Sequence, residues 1–223
     1  MITVGSKEMK AIDSYAINIL KVPALSLVER ASLAVLKHIN LNKFGSFAVV
    51  AGVGNNGADG LALARNLLAL SKDVEIYILG NVEKASQEFK INLESCKMLT
   101  EEIFFVESIG DLENMEKRIS NVNLIIDAIF GTGLSRPVTG IYATVISILN
   151  NAMKYKISID IPSGLDATTG MNLGEVIDCD LIVTMQLMKD GIYDRPIYKE
   201  KCIVEDIGIP QKAIDSVLYG LVD

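Results

Sequence analysis

Histidine is nearly absent. His38 is the sole example in 223 residues, and it lies in an amphipathic helical stretch where a structural role is expected. Proton transfer in this chain therefore falls to Asp, Glu, Lys, Tyr or water. Cysteine is scarce as well. Cys96, Cys179 and Cys202 are odd in number, far apart and without a C-x-x-C pair. That argues against a disulfide framework or a thiolate metal cluster and fits a reducing cytoplasm. No apolar run approaches the roughly 18 residues of a membrane span. Met1 to Glu8 lacks the basic-then-apolar order of a secretory signal. Basic residues are outnumbered, 21 Lys and Arg against 28 Asp and Glu, for a formal charge of −7. This balance disfavours nucleic acid or an anionic membrane as the main partner. A local nest of backbone N–H groups can still hold a phosphorylated ligand.

What is abundant is apolar residues, half of the chain, and glycine in clusters. The length suits one domain with a sizeable core. Phe47 to Ala51 is an apolar run too short for a helix and suited to a buried parallel strand. Gly52, Gly54, Gly57 and Gly60 follow, and from Leu61 the apolar positions recur at helical spacing. Strand, glycine turn and helix together aim N–H groups and a helix dipole into one space that favours an anion. Gly52 to Gly57 fits G-x-G-x-x-G, but a dinucleotide fingerprint also expects an acid at the tip of the second strand, about 20 residues on. That strand, Val74 to Leu79, ends in Gly80-Asn81, with Glu75 near its start.

Two helices are expected first, Ser6 to Leu20 with Ser6 as N-cap, and Ser26 to Ile39, separated by Val22-Pro23. This N-terminal helical extension could cover a sheet edge or make a dimer contact. Strands and helices then alternate. Helices are expected over Glu83–Leu99, Asp111–Ile119 and Thr139–Asn150. Strands are expected over Ile103–Val106, Val122–Ile126, Lys156–Ile159, Leu181–Met185 and Cys202–Glu205. The predicted fold is a three-layer, Rossmann-like α/β domain, a mostly parallel sheet with helices on both faces. Ile161 to Asp180 is the one long weakly structured stretch, of the kind that is often functional.

In such a sheet ligands bind along the C-terminal strand ends. There the chain places Gly52 to Gly60, then Asp127 followed by Phe130 to Pro137, then Asp160 followed by Ile161 to Asp166. A carboxylate at a semi-buried strand tip is costly unless something pairs with it. Asp127 and Asp160 beside glycine-rich loops therefore point to a ligand or a cation. Gly131-Thr132-Gly133 offers backbone donors, and Arg136 offers a forked cation for phosphate. The oxygen-rich set Asn55, Asp127 and Ser163 suits a hard, weakly held cation, with Mg²⁺, K⁺ and no ion all open on spacing alone.

Three segments, Ala51 to Gly60, Asp127 to Pro137 and Ser158 to Asp166, strongly resemble the NAD(P)H-hydrate epimerase family, that of the YjeF N-terminal domain. Leu27-Val28-Glu29-Arg30-Ala31 and Asp206-Ile207-Gly208-Ile209-Pro210 add to the resemblance, which spans essentially the whole chain. It implies an isomerase that interconverts the R and S epimers of hydrated NADH and NADPH (NADHX and NADPHX), a repair activity on nicotinamide nucleotides. It implies a single epimerase domain over 1–223 with no C-terminal dehydratase domain. The chain would act as a cytoplasmic homodimer beside a separate ATP- or ADP-dependent dehydratase. The substrate-binding positions it implies are Asn55, Asn56, Gly57, Ala58 and Asp59, then Gly131, Thr132, Gly133, Leu134, Ser135, Arg136 and Pro137, and Asp160. Asn55, Asp127 and Ser163 align with ligands of one K⁺ per subunit. The family has glycine where this chain has Ala58, so a need there for positive φ or close ligand approach would cost affinity. Lys189-Asp190-Gly191 resembles the family's Lys-x-Gly segment. Asp160 is the expected acid/base, and Lys189 is the candidate to assist the hydroxyl. The alternative is a binding module of the same fold without turnover. An ordinary NAD oxidoreductase is disfavoured by the missing acid at the second strand tip and the lack of a catalytic histidine.

Overall fold

The computed structural model describes residues 2–220. Its centre is a seven-stranded, all-parallel sheet. The strands are β2 (Ser46–Gly52), β3 (Asp73–Leu79), β4 (Ile103–Phe105), β5 (Leu124–Ala128), β6 (Tyr155–Ile159), β7 (Leu181–Met185) and β9 (Cys202–Glu205), in the spatial order β4-β3-β2-β5-β6-β7-β9. A separate two-stranded parallel pair joins β1 (Thr3–Val4) to β8 (Met188–Lys189), with Val4 opposite Lys189.

The strands read as near-continuous apolar runs because both faces are covered. Phe47, Val49 and Ala51 point into one core with Ile76, Ile78, Leu124 and Ile126. Ala48 and Val50 point into the other with Tyr77, Leu79 and Ile125. Period-two alternation assigns each strand residue to one of the two cores. The first core is closed by α1 (Ser6–Ser14), α2 (Ala24–Lys37), α3 (Asn55–Ala69), α4 (Gln87–Lys97) and α9 (Gln211–Tyr219). The second is closed by α5 (Ile109–Ile119), α6 (Ile141–Asn151) and the short α7 (Asp190–Tyr193). A further short helix, α8, spans Pro196–Lys199. No helix among the described residues is long and apolar enough to cross a membrane.

Several expectations shift. The N-terminal extension does not cover a sheet edge. Met9, Ile12, Leu27, Val28 and Val35 bury it on one face, beside α3 and α9. The cap of α1 is Gly5 rather than Ser6, because the Ser6 hydroxyl is taken by the carbonyl of Thr132. After Ser14 the helix widens into a π turn, Tyr15–Ile19. α3 begins at Asn55, not Leu61. Gly57 and Gly60 lie inside its first turns, and a side chain on either would overlap the Gly52 carbonyl or the Ala128 methyl. Those glycines permit close packing of the helix on the sheet rather than a turn.

The stretch 161–180 is packed rather than open. Ile161, Leu165, Ala167, Ile177 and Cys179 are core residues, Leu165 bridges Asn172, and the Asp166 side chain accepts from Thr168 and Thr169 N–H. Other polar side chains tie it to neighbouring elements: Thr168 accepts from Ser6 N–H, Asp180 from Lys156 N–H, and Asp178 meets Lys201.

Candidate active site

The chain leaves β2 outward to β3 and β4, then returns to lay β5 on the other side of β2. The two directions part between β2 and β5, and that divergence opens a crevice beyond their C-terminal ends. A cavity of about 850 Å³ occupies it. Its walls bring together Asn55, Asn56, Asp59, Gly131 to Arg136, Asp160 and Lys189, together with Asp13 from α1. Gly57, Ala58, Asp127, Pro137 and Ser163 do not line it. Ala58 is fully buried inside α3 with its N–H bonded to the Gly54 carbonyl, and it is not a positive-φ residue. The conformational reason for glycine at that position therefore does not apply to this chain.

Asp160 follows β6 directly and sits in the left-handed region, φ 67°. Gln186, after the adjacent β7, does the same at φ 64°. Neither residue is glycine, so both positions carry backbone strain of the kind that collects at functional sites. The strain is held by specific bonds. Asp160 Oδ1 accepts from the Thr184 hydroxyl at 3.2 Å and Met185 N–H at 3.2 Å, and meets Lys189 Nζ at 2.6 Å. The Lys189 side chain is 0% exposed and also donates to the Met185 carbonyl at 2.7 Å; Asp160 is 14% exposed. Gln186 Oε1 accepts from the N–H groups of Ile207 and Ile209. A buried cation thus fixes a carboxylate whose remaining surface faces the cavity.

Two more carboxyls share this field. Burial, and then the Asp160 charge, push Asp13 up to about 7, against the pull of Lys189. Asp59 is held well above the usual carboxylate range by burial first, then by Asp160 and Asp13. Asp13 thus exchanges its proton near neutral pH, and Asp59 is biased toward its protonated form. Nothing in the sequence pattern singled out Asp13. It lies on a helix that looked peripheral, and only the β1–β8 pairing and the packing of α1 carry it to the cavity.

Asp127 is a different kind of carboxylate. It is buried, and Oδ1 accepts from Ile129 N–H and the Ser163 hydroxyl, Oδ2 from the Ser158 hydroxyl at 2.8 Å and Ser163 N–H at 2.9 Å. Burial pushes it up while these bonds pull it down, leaving a net upward shift. Phe130 N–H in turn donates to Ser163 Oγ. Asn56 packs on Gly131, the next residue, and is 7% exposed with neither its amide oxygen nor its amide nitrogen bonded. Buried polar groups without partners are rare and mark a site that something else completes. Asn55, one step earlier on the helix, is exposed. Among the described residues there is no cluster of three or more His, Cys, Asp or Glu fit to hold a metal. The donors at hand are instead hydroxyl, amide and carboxylate oxygens.

A doubly wound parallel sheet with a glycine-rich strand-to-helix junction at its switch point defines a nucleotide-binding α/β protein. The chain belongs to the family described as YjeF-related protein N-terminus, which matches residues 24–191. It is 62% identical, over 98% of its length and all of the relative, to the NAD(P)H-hydrate epimerase of Anaerococcus prevotii. It is 33% identical, over 96% of its length and 42% of the relative, to the bifunctional NAD(P)H-hydrate repair enzyme of Moorella thermoacetica. The crystal structure of the yeast protein YNL200c shares the fold at a TM-score of 0.81, with 20% identity over 98% of this chain and 94% of that one.

Proposed function

We propose that this chain is an NAD(P)H-hydrate epimerase, an isomerase that inverts the hydroxyl-bearing carbon of hydrated NADH and NADPH. The observation that carries the site assignment is the Asp160–Lys189 pair facing a cavity that also holds Asp13 and Asp59. Inversion at a carbon bearing both OH and a ring nitrogen needs no carbanion. The nitrogen lone pair expels the hydroxyl as water once an acid protonates it, leaving a planar iminium. Water adds to the opposite face and gives its extra proton to a base.

Asp13, raised to about 7 and so poised to give a proton near neutral pH, suits the acid. Asp160, pinned by Lys189, suits the base, and Lys189 orients the hydroxyl through it. In the reverse direction the two carboxyls exchange tasks. The N–H groups at the start of α3 and of the Gly131–Gly133 loop, with Arg136, suit the pyrophosphate.

A monovalent cation, K⁺, is the proposed cofactor. Its amide ligand is Asn56 rather than Asn55, because Asn56 carries the buried unpartnered oxygen. Asp127 and Ser163 complete the oxygen set. The ion would supply fixed positive charge beside the buried Asp127. A dehydratase specific for one epimer is the proposed consumer of the product, in keeping with the two-activity relative. The direct test supplies the R epimer, follows conversion to S by chromatography and confirms that NADH is not oxidised. Asp160→Asn should slow turnover by roughly 10²- to 10⁴-fold with the fold intact. Binding without turnover in the wild type would leave a binding module. Asn56→Ala should flatten the response to K⁺ titrated against Na⁺, and an unchanged K⁺ response would remove the ion from Asn56.

A further inference from the structure

We propose that a second cavity, at the C-terminal tips of β3 and β4, seats the adenosine half of the dinucleotide and rejects a 2′-phosphate, so that hydrated NADH is preferred over hydrated NADPH. This rests on the epimerase reading above. The cavity has a volume of about 610 Å³, and its walls include Gly80, Asn81, Glu83, Phe105, Glu107 and Tyr142.

Its place in the fold is the first argument. A dinucleotide laid across a switch point puts one half on each side, with the pyrophosphate over the glycine-rich turn. Asp160 and Lys189 occupy the β6–β7 side. The β3–β4 side is therefore left for the other half, and this cavity lies there. The two cavities share a wall. Tyr142 lines both, and Arg136, which lines the first, is near enough for its charge to pull on the Tyr142 hydroxyl. Gly80 has φ +107°, and a Cβ there would stand 2.7 Å from that hydroxyl, so the joint is open only because the residue is glycine.

The lining chemistry is the second argument. Phe105 is 42% exposed at the end of an edge strand, an aromatic face presented to solvent where a base can stack. Glu83 and Glu107 are exposed, and no lysine or arginine lines this cavity. Lys90 reaches the segment, but its ammonium is bonded to the backbone carbonyl of Glu83. Among the described residues neither glutamate side chain has an ion-pair partner. A carboxylate at the tip of the second strand accepts from a ribose 2′-hydroxyl, whereas a 2′-phosphate calls for an arginine. The acid missing from the strand tip in the linear sequence is thus supplied by Glu83. The 3₁₀ turn Val82–Lys84, whose cap Asn81 accepts from Glu83 N–H, places it at the cavity.

The test is calorimetric titration of the full chain with AMP and with 2′-phosphoadenosine 5′-phosphate, which differ only in the 2′-phosphate, beside kcat/KM for R-NADHX and R-NADPHX. The wild type should favour the ligand without the 2′-phosphate by about tenfold in both measurements, two exposed like-charge contacts being worth about that factor together. Glu83→Gln/Glu107→Gln should erase most of that preference by improving the phosphorylated ligand. Phe105→Ala should weaken both ligands alike. Equal wild-type affinities, or a double variant that leaves the ratio unchanged, would overturn the assignment. The two readings fail separately. No epimerisation with the AMP preference intact removes the reaction and leaves the subsite. Epimerisation with no preference removes the subsite and leaves the reaction.

Discussion

Neutralising Asp13 should make the protein more stable, and only above acidic pH. Folding raises this carboxyl from 3.8 to about 7. Below about pH 4 the group is protonated in both the folded and unfolded chains and contributes no difference. Between about 4 and 7 the unfolded chain gives up the proton while the folded chain keeps it, so folded stability falls as pH rises. Above about 7 both are ionised and the full cost is present. At about 1.36 kcal/mol per unit, that cost is on the order of 4 kcal/mol at most. Part of it passes to Asp59, which the same field also raises. Asp13→Asn keeps the volume and removes the titration. Urea unfolding at pH 4, 6 and 8 should give coincident midpoints for wild type and variant at pH 4, with the variant ahead by pH 8. Epimerisation should slow in the same variant. An equal separation of midpoints at pH 4 and pH 8, or a variant less stable at pH 8, would refute the raised carboxyl and with it the proposed acid.

Lys189→Met leaves Asp160 without its buried cation and should cost about 3–5 kcal/mol. Thermal unfolding would register it as a Tm drop of roughly 6–20 °C for a chain of this size. Adding Asp160→Asn should recover part of that loss, and strict additivity of the two changes would deny the coupling. Ala58→Gly should not improve nucleotide affinity. It should cost about 1–2 kcal/mol, from helix propensity and a lost buried methyl. A lower KM with unchanged Tm would restore the idea that glycine at this position serves the ligand.

The sheet was legible because buried parallel strands announce themselves as apolar runs. Phe47–Ala51, Val74–Leu79 and Leu181–Met185 fall within or on the observed strands. Asp160 could be placed at the cavity because a carboxylate at the end of such a run has few structural excuses, whereas Asp127, at a similar strand end, has one: Ile129, Ser158 and Ser163 take its oxygens. The start of α3 was not, since Gly57 and Gly60 look like turn formers until the Gly52 carbonyl and Ala128 are seen pressed against them. Asn55 and Asn56 are equivalent in a string of letters. Only the helical rotation of about 100° between neighbours decides which faces solvent and which is buried. Glu83 was out of register with the usual acid because a 3₁₀ turn intervenes. Asp13 was invisible because its role depends on a contact across more than a hundred residues of sequence.

That same contact sets the order in which the molecule can become competent. Val4 pairs in register with Lys189, so one segment must wait for another that is synthesised much later. No partial chain ending before the eighth strand can assemble Asp13, Asp160 and Lys189 together. Catalytic turnover is therefore a reporter of finished folding, and trimming Thr3 and Val4 should silence the enzyme before it unfolds the sheet.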